Sequence, residues 1–142
     1  MSDDSLRSVT LRRTEPGRFI ATNQHGVELP LGTGEDVFTP VELLLAGLAG
    51  CTALDVDTLT ARRAEAESFE VEARGHKIKD EGGNRMTDLE VIFRVRFPAG
   101  ETGDHARELL PDLVKRSHDR WCTVSRTIEL GTQVTARVEP VE

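Results

Sequence analysis

The sequence predicts an α+β fold in which antiparallel strands accompany one long apolar helix. Stretches of alternating apolar and charged residues predict the strands, and the unbroken apolar run 43–51 predicts the helix. The segments follow the order strands, helix, strands, helix, strand, which favours an α+β domain over a doubly wound parallel sheet. The chain has 142 residues and no Pro-, Gly- or Ser-rich linker, so a single domain over residues 1–142 is expected.

The amino-acid composition of the chain argues against two classes of partner, nucleic acids and membranes. The chain carries 18 Lys and Arg against 25 Asp and Glu, a net charge of −7, and only 4% aromatic residues. Nucleic-acid-binding proteins usually show a basic excess and stacking aromatic side chains, so no nucleic-acid partner is expected. No apolar run approaches the roughly 20 residues that span a bilayer, and the start MSDDSLRS lacks the apolar stretch of a signal peptide. We therefore expect a cytoplasmic protein with no membrane partner.

The segment 8–31 predicts two or three short strands. A turn at Pro16-Gly17 and another at His25-Gly26 separate them. Apolar residues alternate with polar ones on either side of these turns: Val9, Leu11, Phe19, Ala21, Val27 and Leu29.

A long helix is predicted from Thr39 to about Ala64. Thr39 is a favourable N-cap residue, Pro40 suits the first helical position, and Glu42 stands where a capping box places its acid.

The apolar run 43–51 gives the first half of this helix no polar face. Such a helix is expected to be buried on every side. Gly47 and Gly50 each cost about 1 kcal/mol of helix stability relative to Ala. Their presence predicts that another group approaches the helix backbone closely there.

Two long strands are predicted next, over residues 69–73 and 89–97, with a turn at Gly82-Gly83-Asn84. One face of each is mostly apolar and the other mostly charged, which is typical of an antiparallel sheet covered on one side.

Two helices and a strand are predicted in the remainder of the chain. The first helix covers roughly 104–119, and Pro111 should kink or divide it. A short helix begins near Thr123, and residues 133–138 are expected to close the chain as a strand.

The reactive candidates are the two cysteines, Cys51 and Cys122. In a reducing compartment structural disulfides are uncommon, so a pair is more often catalytic or redox-active. Burial as small hydrophobic residues is the alternative that the residues leave open. Cys122 immediately precedes Thr123, a plausible helix start whose free N–H groups and dipole would lower the pKa of a thiol.

The segments TPVELLLAGLAGCTALDV (39–56) and WCTVSRT (121–127) resemble the OsmC/Ohr family of osmotically inducible and organic hydroperoxide resistance proteins. The pattern PxELxLxxxxGC followed by CxVS is fairly specific, and the resemblance extends along nearly the whole chain. It implies an OsmC-like fold, with antiparallel sheets packed around a long buried central helix. It also implies an intertwined homodimer with two active sites at its interface.

This resemblance further implies a thiol-dependent peroxidase that reduces organic hydroperoxides without a cofactor. Cys51 would attack the peroxide and become a sulfenic acid, and Cys122 would resolve it as a disulfide. A cellular dithiol would then reduce the disulfide. An apolar pocket lined by the Leu43–Leu48 region would favour an alkyl hydroperoxide, or another small apolar ligand, over hydrogen peroxide.

In this family an arginine from the N-terminal strands and a glutamate near the start of the central helix activate the first cysteine. Arg18 is the first choice for the arginine, with Arg13 and Arg126 as alternatives. The glutamate position falls on Val41, and the neighbouring Glu42 is the remaining candidate acid. This departure indicates the OsmC-like branch of the family. It leaves open a small-molecule-binding or redox-sensing dimer without efficient peroxidase activity.

No metal site is expected. The histidines are scattered and lack the paired short spacings of zinc ligands: His25, His76, His105 and His118.

Overall fold

A computed structural model describes residues 4–141. The chain divides into two compact units, Met1–Leu45 and Ala46–Glu142, and each is described by itself. A three-stranded antiparallel sheet lies in the first unit and a two-stranded antiparallel sheet in the second. The predicted α+β class, with antiparallel sheets and a long helix, is confirmed.

The first sheet consists of β1 (Val9–Glu15), β2 (Arg18–Asn23) and β3 (Glu28–Gly32), paired in that order. Both predicted turns are present, and each uses a glycine in the left-handed region: Gly17 has φ 75° and Gly26 has φ 84°. A residue with a Cβ atom rarely adopts these angles. Local turn chemistry therefore sets the strand boundaries here.

Helix α1 spans Pro40–Ala61 and begins with the predicted capping box. The N–H of Thr39 donates to Glu42 Oε1 over 2.8 Å, and the N–H of Glu42 donates to Thr39 Oγ1 over 3.3 Å. These bonds satisfy N–H groups that have no partner within the helix. The helix ends before the predicted Ala64, whose N–H turns back to the carbonyl of Thr60 over 3.1 Å.

The expectation that α1 is buried on every side is wrong for the single chain. Leu44 is 40% exposed, and a Cβ atom built on Gly47 or Gly50 would meet nothing within 4 Å among the described residues. The close approach expected at these glycines therefore does not occur within residues 4–141. The other elements of one chain cover a single stripe of the helix, made of residues four apart: Leu48, Thr52, Val56 and Thr60.

By length and composition α1 is long and apolar enough to cross a membrane, with 22 residues and a mean hydropathy of 1.4. This corrects the expectation that no apolar run approaches that length. The core helix of a folded domain can meet the same criterion, and in the described chain four residues of α1 are buried.

The second sheet is a hairpin of β4 (Ser68–Asp80) and β5 (Gly83–Arg96). On one face the rings of Phe69 and Phe93 meet edge to face, with centroids 6.2 Å apart. On the other face Arg94 pairs with two carboxylates, those of Glu70 and Glu72. The predicted division into an apolar and a charged face is confirmed.

Helix α2 (Glu101–Arg116) runs through Pro111 without a break, so the expected division of this helix is wrong. A π-helical turn, Ser117–Trp121, follows it and leads to the predicted short helix α3 (Thr123–Leu130). Residues 133–138 form no strand. Although apolar and polar residues alternate there, these residues pair with no strand in the part of the chain that the structure describes.

Candidate thiol site

Cys122 is the N-cap residue of α3 and is fully buried. Its sulfur accepts a hydrogen bond from the N–H of Ser125 over 3.3 Å. Its own N–H donates to the carbonyl of Ser117 over 2.7 Å. Helix α3 therefore fixes the sulfur of Cys122, and the π-helical turn fixes its backbone.

Cys51 is half-buried on α1, and its thiol lies close enough to that of Cys122 for the two to affect each other's ionisation. The backbone N–H groups of Thr123 and Val124 lie near the Cys51 thiol and favour its thiolate. Because the N–H of Ser125 donates to the Cys122 sulfur, the first turn of α3 lies beside both thiols. The structure thus brings together two cysteines that lie far apart in the sequence.

The pKa of Cys51 is raised above its ordinary value, chiefly because burial disfavours the thiolate. The hydrogen bond and charge of Cys122 raise it further, whereas the N–H groups of Val124 and Thr123 lower it without offsetting the burial. This direction is opposite to the lowered pKa that a reactive thiol needs. A thiolate at neutral pH therefore requires positive charge beyond that of the α3 terminus.

The π-helical turn before Cys122 is anchored to α1. The hydroxyl of Ser117, which is fully buried, donates to Asp55 Oδ2 over 2.9 Å. Asp55 lies one turn after Cys51 on α1. The same residue pair therefore links the helix that carries Cys51 to the turn that positions Cys122.

Arg18 lies in the first unit, where its guanidinium binds Asp36 through both terminal nitrogens, at 2.6 Å and 3.2 Å. This hydrogen bond lowers the pKa of Asp36. Glu42, in the same unit, binds the N–H of Thr39, and this contact lowers the pKa of its carboxyl. Both residues have a structural role here, and their catalytic roles remain predictions.

The alternative arginines are exposed. Arg13 lies on β1, and Arg126 Nη1 donates to the carbonyl of Asp119 over 3.2 Å. Within residues 4–141 no three side chains of His, Cys, Asp or Glu converge as a metal site would require.

The sequence prediction missed a hydrogen-bonded chain beside the thiols. His118 Nδ1 lies 3.1 Å from Ser125 Oγ, and His118 Nε2 lies 2.9 Å from Glu129 Oε1. From the sequence alone, His118 is a candidate only for a metal site. The available signal was the i, i+4 spacing of Ser125 and Glu129, which places both on one face of α3.

Fold and site together define a class of protein: an α+β chain with antiparallel sheets, one long apolar helix and two adjacent thiols at the start of a short helix. The chain belongs to the OsmC family of OsmC-like proteins, whose family model matches residues 32–137. The family expected from the sequence is confirmed.

Among curated proteins, the chain is similar to an uncharacterized protein of Mycobacterium tuberculosis strain H37Rv. The two are 29% identical over 138 residues, which cover 96% of this chain and 98% of the relative. An uncharacterized protein of Mycobacterium bovis matches with the same identity and coverage.

Solved structures share the fold. An OsmC-like protein of unknown function from Vibrio cholerae superposes with a TM-score of 0.74 at 17% identity, covering 88% of this chain and 94% of that one. A hypothetical protein from Aquifex aeolicus gives 0.70 at 21%, covering 90% of each chain. The organic hydroperoxide resistance protein OhrB of Bacillus subtilis gives 0.56 at 22%, covering 89% and 92%.

Proposed function

We propose that this protein is a thiol-dependent peroxidase that reduces organic hydroperoxides. The observation that carries the proposal is the proximity of the Cys51 and Cys122 thiols at the first turn of α3. Two neighbouring thiols can be joined as a disulfide, which a resolving cysteine requires.

In the proposed reaction the Cys51 thiolate attacks the terminal peroxide oxygen. The O–O bond breaks, the alcohol leaves with a proton, and Cys51 becomes a sulfenic acid. The thiol of Cys122 then displaces hydroxide from the Cys51 sulfur, so that a disulfide and water form. A cellular dithiol reduces the disulfide by exchange and restores both thiols.

Related proteins support this chemistry. Matched structures include the hydroperoxide resistance protein OhrB of Bacillus subtilis and an organic hydroperoxide resistance protein from Legionella pneumophila. The present chain shares their fold and carries the cysteine pair that the family resemblance assigns to peroxide reduction.

Formation of the thiolate is the demanding step, because burial raises the pKa of Cys51. The N–H groups of Thr123 and Val124 supply part of the compensation. We assign the remaining stabilisation of the thiolate to a cation, and the family resemblance indicates Arg18. Because Arg18 is paired with Asp36, this activation requires the guanidinium to be shared with, or released from, that carboxylate.

A second candidate function is a small-molecule-binding or redox-sensing OsmC-like protein without efficient peroxidase activity. Two observations favour it: the raised pKa of Cys51, and Val41 at the position of the family's activating glutamate. A thiol that remains protonated reacts slowly with peroxides.

The decisive experiment measures peroxide consumption with a dithiol reductant, comparing cumene hydroperoxide with hydrogen peroxide. The peroxidase is expected to consume the organic peroxide faster. One equivalent of it should remove about 2 Da per chain as the Cys51–Cys122 disulfide forms. No turnover and no disulfide would overturn the peroxidase proposal and favour the second function.

Three variants complete the experiment. Cys51→Ser should abolish turnover, whereas Cys122→Ser should allow one oxidation per site and accumulate sulfenic acid that excess peroxide converts to sulfinic acid. Arg18→Ala should slow turnover, and Arg12→Ala, an exposed arginine on the same sheet, serves as its matched control. Equal sulfenate trapping at Cys122 in the Cys51→Ser protein would reverse the two roles.

A further inference from the structure

The second unit contains a cavity of about 300 Å³ that neither cysteine lines. Its volume lies at the lower end of the range for small-molecule pockets, and a cavity of about half that size can already hold benzene. Its walls come from α1, β5, α2 and α3 and are mainly apolar, formed by Leu48, Leu89, Val91, Phe93, Val114 and Ile128.

One part of the cavity wall is formed by polar side chains that are hydrogen-bonded to one another. Ser125, only 3% exposed, lines it together with His118 and Glu129. When Glu129 accepts the Nε2–H of a neutral His118, the ring nitrogen Nδ1 accepts the hydroxyl proton of Ser125. Ser125 Oγ then has lone pairs left to accept one further hydrogen bond from a ligand.

A serine, histidine and glutamate in this order also resemble the parts of a hydrolase triad. A hydrolase needs N–H donors aimed at the developing oxyanion. The N–H of Ser125 donates to the Cys122 sulfur, and those of Thr123 and Val124 interact with the Cys51 thiol. This arrangement favours ligand binding over acyl transfer.

The charged side chains in the cavity wall determine which class of ligand can bind. Glu90 and Glu129 both line the cavity, and each already has a partner: Arg74 for Glu90 and His118 for Glu129. With His118 neutral, the charge of Glu129 is not cancelled, so an anionic ligand is disfavoured. A neutral ligand with an apolar body can fill the cavity and donate one hydrogen bond to Ser125.

We propose that this cavity binds a small neutral alcohol with an aromatic or alkyl body, with its hydroxyl donating to Ser125 Oγ. Neither cysteine lines the cavity, although the N–H of Ser125 donates to Cys122 Sγ, so ligand binding can be tested independently of the proposed peroxidase activity.

Amide chemical-shift perturbation tests the proposal. The probes are benzyl alcohol, toluene and benzoate, which share one ring and differ in the polar group. Benzyl alcohol is expected to bind about five-fold more tightly than toluene, which corresponds to one hydrogen bond. Benzoate is expected to bind least, and shifts should map to β5 and α3.

Variants locate the site. Ser125→Ala should reduce the affinity for benzyl alcohol to that for toluene, while Ser68→Ala, an exposed serine on β4, should leave it unchanged. Ile128→Phe narrows the cavity and should weaken benzyl alcohol and toluene alike, and Cys51→Ser should retain binding of both. Tightest binding of benzoate, or benzyl alcohol affinity unaffected by Ser125→Ala, would overturn the proposal.

Discussion

The hydroxyl of Ser117 donates to the carboxylate of Asp55 over 2.9 Å, although the two lie 62 positions apart in the chain. Ser117 is fully buried and its carbonyl also accepts the N–H of Cys122. The bond therefore joins α1, which carries Cys51, to the turn that holds Cys122.

Ser117→Ala should lower the free energy of unfolding by about 1–3 kcal/mol, because the partly buried Asp55 loses its donor. Urea denaturation measures the change. Thr102→Ala, at an exposed position of α2, is the control and should stay within about 0.5 kcal/mol of the parent protein. A Ser117→Ala protein as stable as this control would contradict the anchoring role.

Thr123→Pro should raise the pKa of Cys51 further, because it removes one of the N–H groups that lower it. Proline is tolerated at the first position of a helix. The extended conformation of Cys122, with ψ 103°, also suits a residue before proline. The pH dependence of Cys51 alkylation by iodoacetamide reports the shift.

Thr123→Ala keeps the backbone N–H and is the matched control for this helix-terminus effect. Its alkylation profile should coincide with that of the parent protein. An equal displacement in both variants would show that the threonine side chain, rather than the N–H group, influences Cys51.

We propose that the protein is a homodimer that covers the exposed face of α1. Gly47, Gly50 and Leu54 lie on this face, and exposed apolar surface of this kind is usually covered in an assembly. Leu54→Glu should therefore favour the monomer in sedimentation equilibrium. Leu130→Glu, at an equally exposed leucine (71%) on α3, should not. A stable, folded parent monomer at micromolar concentration would rule out the dimer.

Arg18→Ala should return the pKa of Asp36 towards its ordinary value, because the guanidinium hydrogen bond is what lowers it. A carboxyl whose pKa is lower in the folded state stabilises the fold above its unfolded-state pKa, and this contribution disappears as the pH falls through the folded-state pKa. The parent should therefore lose more stability than Arg18→Ala over that acidic interval. An NMR titration of the Asp36 carboxyl checks the shift, and an unchanged titration would contradict the pairing.

Local rules account for the parts of the fold that the sequence predicted well. The glycine turns at Gly17 and Gly26, the capping box of Thr39 and Glu42, and the start of α3 at Cys122 all depend on a few adjacent residues. Such features are readable from composition and spacing, because the interacting groups are neighbours in the chain.

The candidate site was predictable only in part. The sequence by itself determined the family, the α+β class and the identity of the two cysteines, through short motifs whose spacing is local. The tertiary structure decided that Cys51 and Cys122 meet at α3, that Ser117 binds Asp55, and that residues 133–138 find no partner strand among the described residues. It also decided the direction of the Cys51 pKa, because desolvation depends on every group packed around the sulfur, and those groups come from distant parts of the chain.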